Sequence, residues 1–265
     1  MKTVLVTGSS GGMGSAICEL LLEKGYKVYG IDYKDTQEIS GLTHINCDVT
    51  DMTSVEQAFE RVKASAEKLD AIIHTAGIYD LDSLIEMEEK RFVRIMDINL
   101  FGVYRINKVF APLLERGGRI IITTSELAPL DPLPFTGIYA ISKASLEKYA
   151  YSLRMEVNLL GISVSVIRPG AVKTSLLTDS TAALDRFCSS TQLYPCNADR
   201  FRKIVDSVET KNVAPGAIAA IVLKALEARK PKYVYNINRN YLLKLLHILP
   251  KHIQVAIIKG ILKTK

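Results

Sequence analysis

The sequence predicts an α/β fold, a doubly wound parallel sheet with helices on both faces. Three observations lead there. Apolar runs of strand length alternate with amphipathic stretches of helix length as far as about residue 170, the pattern of successive βαβ units. The turn between the first such run and the first such stretch is rich in glycine. The chain has 265 residues, 48% of them hydrophobic and 23% charged, enough for one large core and an ordinary globular composition.

Strands are expected at residues 3–6, 27–31, 43–46, 71–74, 119–123 and 163–168, and helices at 15–24, 52–68, 88–114 and 142–160. After Gly170 the alternation breaks. Residues 175–212 read as a variable loop, rich in Ser and Thr at its start, of the kind that forms a lid over a ligand or an ordinary surface excursion. An Ala- and Ile-rich helix follows at 215–229, and an amphipathic tail at 240–265. The whole of 1–265 is read as one domain.

Charge is unevenly spread. Of 34 basic residues nine lie in 228–265, which holds no acid, leaving 25 against 28 acidic ones in the body. A nucleic-acid binder would carry its excess over the body, so nucleic acid is excluded as a partner. Cys18, Cys47, Cys188 and Cys196 have no metal-ligand spacing, and His44, His74, His247 and His252 are scattered. Reduced thiols, no metal site and a cytoplasmic location are expected. No secretory leader and no bilayer-length apolar run is read from the chain.

The first strand runs into Thr7-Gly8-Ser9-Ser10-Gly11-Gly12-Met13-Gly14, and Ser15 to Leu20 continue as helix. Glycines there permit a tight turn and let backbone N–H groups and the helix N-terminus meet a pyrophosphate, which marks the sheet as Rossmann-type. Asp32 ends the second strand, where a carboxylate can accept from ribose hydroxyls or serve only as a turn residue. It would repel a 2′-phosphate, and no Lys or Arg lies in the glycine loop, so NAD is expected over NADP, with Lys34 nearby as the counter-argument.

Tyr139 and Lys143 stand four apart, on one face of a helix that begins there. A phenol titrating near ~10 is a poor base, but a neighbouring ammonium lowers that value. Upstream, residues 119–123 read as a buried strand ending in hydroxyls, with Ser125 the natural candidate at the strand end and Thr124 the fallback.

The spacing Thr-Gly-x3-Gly-x-Gly, with Tyr-x3-Lys downstream, resembles the short-chain dehydrogenase/reductase family over residues 1 to about 178. The resemblance implies that Gly8, Gly12 and Gly14, with Ser10 and Met13 of the same loop, line the pyrophosphate. It implies that Asp48 with Val49 meets the adenine and that Ala76-Gly77 supports the cofactor, although His74-Thr75 stand where the family has Asn-Asn. Ser125 would orient the substrate oxygen and Tyr139 transfer the proton. Lys143 would hold the nicotinamide ribose and depress the Tyr139 pKa, and Asn99 would support a relay water. Pro169, Gly170, Val172 and Thr174 would close on the nicotinamide. Ser125 precedes Tyr139 by one residue more than is common, so a bulge is expected around 129–134.

The implied activity is interconversion of a secondary alcohol and a ketone. The Leu-rich tail is similar to those of family members acting on steroids, retinoids and other lipids, and the resemblance implies a lipophilic substrate such as a hydroxysteroid; the flanking Leu127, Leu130, Leu133, Phe135, Leu176 and Leu177 lean away from a polar, phosphate-ready entrance. The alternatives are an acyl-carrier or sugar-linked ketone, or a non-catalytic nucleotide sensor. Family members commonly form homodimers or homotetramers through the Tyr139 helix. The tail reads as two cationic amphipathic helices hinged at Pro250, packed on the body or a second subunit, or laid on an anionic membrane.

Overall fold

The computed structural model describes residues 1–35, 39–209 and 212–263, with the side chains of 175–178 and 206–209 outside the description. Among these residues β1 (Thr3–Thr7), β2 (Lys27–Asp32), β3 (Thr43–Asn46), β4 (Leu69–His74), β5 (Leu114–Thr123), β6 (Ser163–Pro169) and β7 (Val234–Ile237) form one parallel sheet in the order β3-β2-β1-β4-β5-β6-β7. Chain direction across the sheet reverses between β1 and β4, the place where ligands settle in such folds.

Period-two alternation sends each strand's side chains to two buried faces. In β1, Val4 and Val6 join one core and Leu5 the other; in β5, Ile121 joins the first and Ile120 and Ile122 the second. The first core is closed by α1 (Gly12–Glu23), through Ile17 and Leu21, and by α8 (Pro215–Glu227), through Ile218 and Val222. α2 (Met52–Lys63), α4 (Gly102–Phe110) and α5 (Gly137–Val157) close the second with Val55, Ile106, Phe110 and Leu146.

Three parts of the sequence reading need correction. The single helix expected over 88–114 is α3 (Glu89–Met96), a π-helical turn (Asp97–Phe101), α4 and a short 3-10 turn (Ala111–Leu113). Pro112 cannot continue an α-helix, and the π turn carries Asn99. The loop expected over 175–212 is instead α6 (Ser175–Ser190) and α7 (Pro195–Glu209). Its polar composition hid a narrow apolar stripe: Ala183, Leu184 and Phe187 pack on Ala198 and Phe201. β7 was not foreseen, because Tyr-Val-Tyr-Asn-Ile offers no continuous apolar run; it pairs with β6 from Val166↔Val234 to Pro169↔Ile237.

The tail does form two helices, α9 (Tyr241–Ile248) and α10 (Lys251–Leu262), with Pro250 between them. Their inner face rests on the body. Leu262 and Ile258 join the α6–α7 cluster, and the Asp131 carboxylate accepts from Gln254 Nε2 at 2.9 Å and pairs with Lys251 and His247. No described helix is long and apolar enough to cross a membrane.

Candidate active site

The glycine loop is shaped by close approach. Gly8 has φ +70°, and a Cβ there would meet the Ala76 backbone nitrogen at 2.6 Å; a Cβ on Gly14 would lie 2.0 Å from the Gly8 carbonyl oxygen. β1 and β4 are also tied by Thr75, whose hydroxyl donates to the Thr7 carbonyl at 2.6 Å. His74 turns the other way, into the core, where its Nε2 meets Asn107 Oδ1 at 2.9 Å. The His-Thr pair therefore keeps Ala76-Gly77 beside the glycine loop.

One cavity of about 400 Å³ runs from this loop to Tyr139. Every residue read as cofactor-binding lines it: Gly8, Ser10, Gly12, Met13, Gly14, Asp32, Asp48, Val49, Ala76, Gly77, Tyr139, Lys143, Pro169, Gly170, Val172 and Thr174. At one end the Asp32 carboxylate is fixed by the backbone N–H of Ser10 at 3.0 Å and of Lys34 at 3.1 Å. Asp48 is turned into its own loop, accepting from the Thr50 N–H and hydroxyl at 2.8 and 2.7 Å.

At the other end Ser125 and Tyr139 line the cavity as neighbours, near enough for the Ser125 hydroxyl to act on the phenol. Thr124 is directed into the sheet, donating to the Ile167 carbonyl at 3.2 Å, so the fallback does not hold the position. Between Ser125 and Tyr139 the chain makes a run of turns that ends at Phe135, with φ 65°. That left-handed conformation is unfavourable for Phe. The ring's packing against Phe187, Tyr194 and Phe201, at centroid distances of 4.4 to 5.2 Å, holds it.

Asn99 is the one candidate set back from the cavity. Its Oδ1 accepts from the Ile78 N–H at 2.9 Å, and its Nδ2 donates to the Ile78 carbonyl and to Ser142 Oγ, both at 3.0 Å. A Cβ on Gly77 would press on Asn99 Oδ1 at 3.2 Å and on Lys143 Nζ at 3.4 Å, so this glycine leaves room for both.

Burial dominates the electrostatics. It pushes the Tyr139 phenol up to about 12, against which the Ser125 hydroxyl acts, and brings Lys143 down to about 8. The expected lowering of the phenol by Lys143 is thus corrected: the ammonium lies 5.8 Å from the phenol ring centroid and its contact is the Thr123 carbonyl at 3.4 Å. At neutral pH the pair holds a protonated phenol beside a cation, an arrangement that can donate a proton to an oxygen placed against both hydroxyls.

The cavity fits a dinucleotide. Its glycine cradle admits backbone where side chains would clash, and the buried Thr174 hydroxyl, against Gly12, has no protein partner. Sequence reasoning missed the residues that come from far along the chain or carry no motif. The Tyr79 ring lies 4.6 Å from that of Tyr139. Glu126 lines the cavity while its N–H donates to the Pro169 carbonyl and its Oε2 accepts the Asn240 N–H at 2.6 Å. Phe201, Ile204, Val205 and Leu243 add apolar wall, as do Leu127 and Leu133. Leu130 and Phe135 do not line it, and the side chains of Leu176 and Leu177 lie outside the described residues.

Comparison with known proteins agrees with this geometry. The family model described as short chain dehydrogenase matches residues 2–185. The chain is 28% identical over 233 residues to a 3-ketodihydrosphingosine reductase of Bacteroides thetaiotaomicron, covering 88% of this chain and 86% of that protein. It is 31% identical over 220 residues to the 3-oxoacyl-acyl-carrier-protein reductase MabA of Mycobacterium avium, covering 82% and 81%. The fold matches that of an alcohol dehydrogenase from Thermococcus sibiricus complexed with 5-hydroxy-NADP, with TM-score 0.70, 22% identity and coverage of 89% and 96%.

Proposed function

The chain belongs to the short-chain dehydrogenase family, and we propose that it is a reductase of lipophilic ketones that uses NADH. The family is one of oxidoreductases that use a nicotinamide dinucleotide and act on CH–OH and keto groups. The observation that carries the narrower reading is that Ser125, Tyr139 and Lys143 line one cavity together with the glycine loop and with apolar Leu127, Leu133, Phe201, Ile204 and Leu243.

Bound nicotinamide supplies the hydride. The protein's part is to hold the ketone oxygen between the Ser125 and Tyr139 hydroxyls and to deliver the Tyr139 proton to it as the alkoxide forms. Lys143 keeps a positive charge under the phenol and orients the ribose, while Asn99 braces the Ile78 backbone and Ser142 behind it. The protonated phenol is the form that donates in reduction, and the phenolate is the form that accepts in oxidation. Asp32, anchored at the adenosine end, accepts ribose hydroxyls and opposes a 2′-phosphate, which supports NAD over NADP.

Within lipophilic ketones, a hydroxysteroid's keto form and a long-chain keto lipid of the kind named in the Bacteroides relative both suit the apolar wall. The likeness to MabA supports a second reading, a keto group on an acyl carrier. The intact Ser125, Tyr139 and Lys143 count against a non-catalytic sensor. Exposed Ile141, Tyr151 and Met155 on α5, with Tyr104 on α4, support pairing of subunits through these helices.

The test is oxidation of NADH, with NADPH in parallel, by 3-ketosteroids, long-chain keto lipids, acyl-carrier-bound 3-oxoacids and sugar ketones. Turnover of free lipophilic ketones with NADH supports the reading. Turnover of the carrier-bound substrate alone transfers it to the second reading, and turnover with NADPH alone overturns the role of Asp32.

A further inference from the structure

Tyr241, Leu242, Leu245 and Ile248 of α9, and Val255 and Ile261 of α10, are 53% to 78% exposed. The tail that bears them is firmly held. Glu126 accepts the Asn240 N–H, Asn240 caps α9 through the N–H groups of Leu242 and Leu243, and Asn197 Nδ2 donates to the Leu262 carbonyl at 2.6 Å. Leu243 and Leu246 of α9 and Gln254, Ile258 and Leu262 of α10 supply the inner contacts. The outward apolar residues therefore belong to the second face of two helices already docked on their first.

That second face is set among cations. Lys244, Lys259 and Lys263 are exposed around it, and no acidic residue occurs from 228 to 265. We propose that α9 and α10 together dock on an anionic lipid surface, lying in its plane with the leucines and isoleucines among the acyl chains and the lysines at the headgroups. Apolar side chains flanked by lysines match that medium. A second copy would bring the same lysines against each other across an isologous contact. Because Leu243 lines the cavity while Leu242 and Leu245 face outward, docking would set the cavity wall against the phase in which a lipophilic ketone dissolves. This last step rests on the substrate reading above.

The full-length protein would be floated with phosphatidylcholine vesicles, with and without phosphatidylglycerol. About tenfold more protein is expected on the anionic vesicles, with the excess lost at high salt. Leu242→Gln/Leu245→Gln/Ile248→Gln and, separately, Lys244→Glu/Lys259→Glu should each remove most of that binding with NADH affinity and circular dichroism unchanged. Equal partition between the two vesicle types, or none, overturns the proposal. So does light scattering that finds the wild type assembled and the leucine variant dissociated, which would make the face a contact between copies. Flotation needs no turnover, so loss of the ketone-reductase reading and loss of the docking face are separate results.

Discussion

The glycine loop, residues 8–14, and Leu243 of the tail reach the same cavity by different means. In the glycine loop the constraints are steric and fall on backbone: a left-handed Gly8 pressed against the Ala76 backbone, and a Gly14 whose Cβ would strike the Gly8 carbonyl. Leu243 reaches its place only because Glu126 holds Asn240, 114 positions away, and Asp131 holds Gln254, 123 positions away. The cofactor end is specified by steric exclusion around glycines. The substrate end is specified by tertiary contacts, so the first tolerates almost no substitution at its key positions while the second can be altered piece by piece.

The largest expected effect lies where the two regions meet. Tyr139→Phe removes the donated proton and should lower kcat by roughly 10³-fold with NADH affinity nearly unchanged; retention of more than a few per cent of turnover would remove Tyr139 from the reaction. Next is Gly14→Ala, whose clash is with backbone. It should weaken NADH binding by about 3 kcal/mol, a factor of roughly a hundred, measurable by fluorescence titration. Binding close to wild type would mean that the loop relaxes and the contrast with the tail is false.

His74 gives a pH signature on the cofactor side. Burial lowers its pKa to about 4, below that of the unfolded chain, so the folded state binds fewer protons and stability declines as pH falls from about 6.5 towards 4. Between pH 7.5 and 5 the loss should be about 2 kcal/mol by urea denaturation, and His74→Asn should flatten that slope. An equal slope in the variant would place the dependence elsewhere.

The smallest effect tests the tail. Lys251, Gln254 and His247 hold the Asp131 carboxyl down at about 2, so its contribution is present above the ordinary carboxylate range and is lost as pH falls towards 2. Because the group is partly exposed, Asp131→Asn should cost only about 1 kcal/mol or less. It should raise KM for the ketone more than it changes NADH affinity. A change in NADH affinity alone would show that the tail acts on the cofactor end.

The central strands β1, β2, β4 and β5 and the Tyr139–Lys143 helix were legible because buried parallel strands carry runs of apolar residues and a four-residue spacing has one meaning on a helix. The break at Asn99 was not, since a π turn changes hydrogen bonding without changing composition. α6 and α7 were hidden by serines and threonines whose stripe becomes visible only against Phe135 and Leu262. Tyr79 and Glu126 carry no motif; their roles come from what lies opposite.

From its sequence alone this protein's sheet, its glycine-rich turn and the hydroxyls and lysine that line one cavity with it could be read, because those depend on local geometry and residue chemistry. The tertiary structure decided the protonation of Tyr139, which burial raises where neighbouring charge alone predicted a fall. It also decided which tail residues wall the cavity and which face outward, because both follow from what packs across a long stretch of chain.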